Sequence, residues 1–253
     1  MKFRAVASIA VLCCSMVCLP IVVSRAQAAE VVVSAAASLT NAFNELKALF
    51  EKQHPGLVIH CNYAASGALF RHVQEGAPVD VFAAADQITM DKAVDAGVVD
   101  AASRRNFVRN SLVLIVPRGC KRPATLADLS TFARIAVGAP ASVPAGRYAR
   151  EALQKAGLWD RLQGQLIFGN NVRQVLGYVA QGEVDAGLVY ATDARQQAAA
   201  VDVVMTVPGH TPVLYPIAVV STGKNPAMGQ AFLDFVLTPE AGAVLARYGF
   251  ERP

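Results

Sequence analysis

The sequence predicts an α/β protein of two lobes, each a mostly parallel sheet flanked by helices. Three observations carry this expectation. Apolar runs of strand length alternate with amphipathic helical segments from residue 31 onward, the pattern of successive βαβ units. The alternation halts at Pro117 and Gly119 and then restarts, as though a second unit had begun. No stretch rich in Gly, Ser or Pro divides the two series, which argues for lobes joined by crossing chain rather than beads on a string.

Residues 1–28 stand apart from this fold. Lys2 and Arg4 precede an almost wholly apolar run, 5–23, and Ala26, Gln27 and Ala28 form an A-x-A cleavage site. That is the layout of an export signal peptide; an uncleaved membrane anchor is the alternative for a run of this length. Cys13, Cys14 and Cys18 lie in the segment without a convincing Leu-small-small pattern for lipid attachment. Removing Lys2, Arg4 and Arg25 lowers the formal charge from +4 to +1, 20 basic residues against 19 acidic. Such a balance gives no nucleic-acid footprint. No later run is long and apolar enough to span a bilayer, so the mature protein is expected to be exported and soluble.

In the first unit, the start of 31–43 is a strand buried on both faces, and Ser38 is expected to N-cap the helix that follows. Leu39, Phe43, Leu46, Leu49 and Phe50 recur on that helix at a spacing that buries one face. Beyond Gly56, residues 57–64 form a second strand, and Ser66 and Gly67 open a short helix. Residues 79–86 form a third strand with a helix after it, and 111–117 a fourth.

The second unit begins with a short helix at 125–130 and a strand at 134–140. A long helix over 144–157 has Pro144 in its first turn, where its missing N–H costs nothing. A strand at 165–171, a helix at 172–183 and a strand within 185–194 follow. Two further strands, 201–208 and 215–222, precede closing helices at 226–238 and 239–250. The chain is expected to cross before residue 111 and again around 215–222, and then to return to the first lobe. Lobe 1 is thus 29–109 plus 215–253, and lobe 2 is 110–214. Cys61 falls in a strand and Cys120 just past another; both are expected to be small buried hydrophobes rather than a disulfide.

Several chemistries are argued against by the motifs the chain lacks. There is no G-x-x-x-x-G-K-[ST], no G-x-G-x-x-G after a strand, no H-E-x-x-H and no G-x-S-x-G. His54, His60, His72 and His210 are scattered without ligand spacing. An exported serine hydrolase would need Ser38 or Ser66 to find a base, and no motif supplies one. A regulator's sensing domain fits poorly with an export signal and no helix-turn-helix.

What recurs is a strand end followed by a small or hydroxyl residue that opens a helix. Ser38 and Ser66 do so in the first unit; Pro144 with Ala145 and Gly146, and Asn171 with Val172, do so in the second. Each helix start presents free N–H groups at the positive end of a dipole. Two such ends per lobe, converging on one cleft, would suit a small anion, although α/β proteins have such ends whether or not they bind anything. Tyr190, at the end of a buried strand, is by its own pattern a core tyrosine with its hydroxyl on a carbonyl.

The residues resemble a known family over essentially the whole mature chain: the periplasmic molybdate-binding proteins of ABC importers. The markers are AAASLTNAF, YAASGAL, GAPVDVFAAADQITMDKAVDAG, NSLVLIVP, VPAGRYAREALQKAGLWD, NNVRQVLGYVAQGEVDAGLVYATDA, YPIAVV and RYGF. VPAG-x-Y followed later by V-R-x-x-L and G-x-V-Y-x-[ST]-D-A is the specific combination. The resemblance implies a type II periplasmic-binding-protein fold with two hinge crossovers. It also implies a periplasmic, non-catalytic carrier without a cofactor, whose ligand is molybdate or tungstate. A monomer suits such a carrier, which would deliver its ligand to a membrane permease driven by a cytoplasmic ATPase.

The resemblance further assigns the oxyanion to Ser38, Ser66, Ala145, Val172 and Tyr190, through contacts to its oxygens rather than to the metal. A fully ionised dianion offers acceptors only, so hydroxyls and N–H groups match it and no carboxylate is wanted. Neutral dipoles also avoid burying a countercharge. Sulfate, or another small oxyanion on the same fold, is the competing ligand, to be distinguished by cavity size. Arg147 is expected to be a solvated surface arginine, and Arg173 to have a structural or rim role.

Overall fold

A computed structural model describes residues 29–253; the expected signal peptide, 1–28, lies outside the described residues. Two five-stranded mixed sheets form the framework. In the first unit the chain runs through β1 (Ala29–Ala36), α1 (Thr40–Gln53), β2 (Leu57–Ala64), α2 (Ser66–Gln74), β3 (Val81–Ala83), α3 (Gln87–Asp95) and β4 (Arg105–Asn110). The second unit holds β5 (Leu112–Pro117), β6 (Ile135–Gly138), α4 (Pro144–Lys155), α5 (Trp159–Leu162), β7 (Leu166–Gly169), α6 (Val172–Ala180), β8 (Ala186–Tyr190), α7 (Ala191–Gln196) and β9 (Val201–Thr206). β10 (Val213–Val219), α8 (Pro226–Val236) and α9 (Pro239–Arg247) close the chain.

The strand orders are β2-β1-β3-β10-β4 and β7-β6-β8-β5-β9. In each sheet four strands share one direction and a single interior strand opposes them: β10 is antiparallel to β3 and β4, and β5 to β8 and β9. The reversed strand is in both cases the one laid down as the chain arrives from the other sheet. Only Ser111 separates β4 from β5, and β9 feeds β10. Both connections therefore run side by side between the lobes. The final helices return to the first sheet, α8 packing on β1, β3 and β10 and α9 on α1.

The inner strands are nearly all apolar because helices cover both sheet faces: Val31, Val33 and Ala35, and Leu112 through Val116, are buried. Three local expectations are corrected. The third strand, Val81–Ala83, is shorter than 79–86; Asp80 before it still donates its N–H to Val32 carbonyl and accepts Val220 N–H, and its carboxylate accepts Val32 N–H and Asn225 N–H. Asp86 in turn caps α3, accepting from Thr89 N–H at 3.1 Å. β4, with its sequence RNFVRN, is a strand that the apolar pattern does not reveal, since only Phe107 and Val108 in it are buried. Cys61 and Cys120 are unbridged, as expected, but Cys61 is only half-buried and Cys120 is exposed. Among the described residues no helix is long and apolar enough to cross a membrane.

Candidate functional site

The C-terminal ends of β1, β2, β6 and β7 hand over to helices at one point between the lobes, and the four handovers line a small cavity of about 10 Å³. All five residues singled out from the sequence, Ser38, Ser66, Ala145, Val172 and Tyr190, line it. Apart from Asn171, the remaining wall is small and apolar, including Ala37, Ala65, Ala85 and Val143. No Asp, Glu, Lys or Arg belongs to the lining.

Ser38 is not the N-cap expected of it. A 3-10 turn over Ala37–Leu39 intervenes between strand and helix, Leu39 occupies the cap position of α1, and no side chain caps it. The tight turn directs the Ser38 hydroxyl instead toward Tyr215 Oη, 2.9 Å away. Ser66 is the first residue of α2, and its Oγ accepts Ala85 N–H at 3.0 Å. On the other lobe, Pro144 begins α4 and Ala145 supplies its first N–H; Val172 begins α6 behind the Asn171 cap, whose Oδ1 accepts Gln174 N–H at 2.9 Å. Early N–H groups of a helix have no intrahelical acceptor, so Ala145 and Val172 offer donors backed by helix dipoles.

The fit of α4 against its strand depends on a glycine. A Cβ on Gly146 would lie 1.9 Å from Gly138 carbonyl oxygen, so only glycine permits this approach. Tyr190 ends β8 with its ring buried and its hydroxyl without a hydrogen-bond partner among the described residues. Burial holds that phenol well above the ordinary tyrosine range, so it remains a protonated donor. A buried hydroxyl facing a cavity with nothing to bond is an unmet donor, the kind of group an anionic ligand satisfies.

Charge is present around the cavity but paired outside its wall. Arg147 is not solvated: it reaches from α4 across the cleft, donating from Nε to Asp86 Oδ2 at 2.6 Å and from Nη2 to Thr89 Oγ1 at 2.6 Å. Arg173, on α6, lies 2.6 Å from Asp193 Oδ1 through its Nε and donates to the Ser38 carbonyl of the other lobe at 3.3 Å. Asp193 is fully buried, and burial pushes its carboxyl up to about 6 even beside Arg173. A third cross-lobe contact runs from Gly67 N–H to Ser142 carbonyl, 3.0 Å. Sequence reasoning missed Asp86, Thr89, Asp193 and Tyr215 as parts of this site, because their partners lie on distant segments.

A set of hydroxyl and N–H donors around a small closed space can hold an acceptor-only solute and release it when the lobes part. It contains no nucleophile paired with a base: neither Ser38 nor Ser66 has a histidine or carboxylate among its hydrogen-bond partners. The four histidines stand apart from the cavity lining.

Comparison with known proteins gives the same reading. The family model described as bacterial extracellular solute-binding protein matches residues 31–251. The molybdate-binding protein ModA of Escherichia coli K12 is 41% identical over 230 residues, covering 87% of this chain and 88% of that protein. ModA of Haemophilus influenzae is 36% identical, with coverage of 90% and 92%. The periplasmic molybdate-binding protein of Azotobacter vinelandii shares the fold, with a TM-score of 0.78, 24% identity and coverage of 88% of this chain and 99% of that one. By sequence and by architecture, the chain belongs to the bacterial extracellular solute-binding protein family.

Proposed function

We propose that this protein captures molybdate in the periplasm and delivers it to an ABC-type importer, with tungstate as an alternative cargo of the same charge and shape. The observation that carries the proposal is the composition of the cavity wall: donors from four chain reversals and one phenol, with no carboxylate and no countercharge. A tetrahedral dianion without protons needs that environment, whereas a protonated oxyanion such as phosphate would want an acceptor as well. Preorganised dipoles in a closed, water-poor cleft strengthen each charge-assisted bond. The molybdate-binding relatives support the choice of metal oxyanion.

On this reading Ser38 and Ser66 donate from lobe 1, Ala145 and Val172 N–H groups and the Tyr190 hydroxyl donate from lobe 2, and the contacts are to oxyanion oxygens. Residues 1–28 direct export and are removed. Lobe 1 (29–109 and 215–253) and lobe 2 (110–214) rotate about the two crossings, and the closed monomer docks on a permease whose cytoplasmic ATPase drives uptake. The protein carries its ligand unchanged, with no catalysis.

The test is a thermal shift of the mature protein with molybdate, tungstate, sulfate and phosphate in parallel. A ligand at 100 times its dissociation constant stabilises by about 2.7 kcal/mol. Molybdate and tungstate are expected to raise Tm while sulfate and phosphate do not. A response to sulfate alone would keep the anion site and overturn the choice of cargo; no response to any would overturn the site.

A further inference from the structure

The hydroxyl of Ser38 has a hydrogen to give and lone pairs to fill, and which way it points is set by its neighbours. Asn110, the last residue of β4, fixes the first link: its Oδ1 accepts Ser111 N–H at 2.9 Å, which turns its Nδ2 inward. That amide donates to Thr192 Oγ1 at 2.8 Å and to Tyr215 Oη at 3.3 Å. Tyr215 is wholly buried, and among the described residues its hydroxyl meets only Asn110 and Ser38. Asn110 Nδ2 is a donor and cannot accept, so the Tyr215 hydrogen goes to Ser38 Oγ. Ser38 already accepts there, which leaves its own hydrogen for the cavity it lines. Ser66 is oriented in the same sense, by Ala85 N–H.

We infer that Asn110 and Tyr215 are positioning residues that make Ser38 an obligate donor toward the bound anion, through a one-way chain from amide to phenol to serine. The inference rests on the oxyanion-binding reading above and adds how specificity for a proton-free ligand is built. The two residues lie on β4 and β10, the strands that flank the crossings between lobes. The chain therefore ties the anion's first-lobe hydroxyl to the segments about which the lobes turn.

The experiment is a double-mutant cycle read by calorimetric molybdate titration on the mature protein: wild type, Tyr215→Phe, Ser38→Ala and the double variant. The Phe ring keeps the packing against Phe107, Tyr190 and Phe250. The expected result is that Tyr215→Phe weakens binding by about tenfold, and that it has no further effect once Ser38 is alanine. A purely structural role would weaken both backgrounds alike, and that additivity would overturn the inference, as would unchanged affinity in Tyr215→Phe. If Tyr215→Phe does not fold, Asn110→Asp carries the same cycle. Its carboxylate still accepts Ser111 N–H but offers the Tyr215 hydrogen a competing acceptor, so the same loss, confined to the Ser38 background, is expected. Failure of the wild type to bind molybdate would overturn the cargo assignment itself, before any variant is compared.

Discussion

Arg147 and Asp86 join the two lobes beside the cavity. Arg147 sits two residues after Ala145 on α4, and Asp86 caps α3 with one carboxylate oxygen while its other oxygen holds the guanidinium at 2.6 Å. Because the cap fixes Asp86 in place whether or not the lobes meet, the acceptor is preorganised for the arginine's arrival. Fixing a partner beforehand lowers the ordering cost of each bond made on closure. The pair is largely shielded, with 15% and 3% of the two side chains exposed, so it is screened less than a surface pair.

Replacing Arg147 by Gln is therefore expected to destabilise the closed form. Molybdate affinity should fall about tenfold, mostly through faster release, while the rate of capture changes little. Stopped-flow chase of bound molybdate against excess tungstate measures the release rate directly. An unchanged rate would mean that the contact forms without contributing to closure.

Gly67 marks the other meeting point. Its N–H bonds Ser142 carbonyl, and a Cβ there would stand 2.7 Å from that oxygen and 2.9 Å from Ser142 Cα. Backbone on both sides leaves nothing flexible to give way. Gly67→Ala should leave lobe 1 folded, since alanine suits a helix better than glycine, yet hold the lobes apart. Small-angle scattering is expected to show that saturating molybdate compacts the wild type and not the variant, and calorimetry to show weaker binding.

Much of this arrangement is written locally. Pro144 and Asn171 announce helix starts by their own chemistry, and apolar runs such as Leu112 to Val116 announce buried strands, so the handovers could be placed from short windows. The residues that act between segments carry no such sign. Arg147 looks like any helix-surface cation until α3 is brought opposite it. Tyr215 looks like strand filler until its hydroxyl is set against Ser38, 177 positions away. Ser38 itself misleads, because Ser before a helix is a cap signal, and a three-residue 3-10 turn moved the cap to Leu39. In β4, polar residues around Phe107 and Val108 hide a strand whose place is set by pairing with β10.

Asp193 gives a pH dependence. Its folded carboxyl titrates at about 6 against an ordinary 3.8, because burial outweighs Arg173. The native state therefore binds this proton more tightly than the unfolded chain. Its contribution to stability is fully present below 3.8 and is lost as pH rises through about 6. Asp193→Asn abolishes that term. The Tm difference, wild type minus variant, is expected to move in the wild type's favour as pH falls across this window. A difference that is flat, or that moves the other way, would show that Arg173 rather than burial dominates.

Tyr190 separates binding from folding most sharply. Its hydroxyl is buried and unbonded among the described residues, while its ring packs against Tyr148 and Tyr215. A buried donor without a partner carries a desolvation cost that phenylalanine does not. Tyr190→Phe is thus expected to leave the Tm of the ligand-free protein unchanged or raise it. The same change removes a donor to a dianion, a bond worth about 1.5–3 kcal/mol, so molybdate affinity should fall by roughly 10- to 150-fold. Calorimetry and thermal unfolding on one preparation read both effects. Opposite signs are what a hydroxyl held in reserve for a ligand produces; a loss of stability and affinity together would instead mark Tyr190 as part of the core.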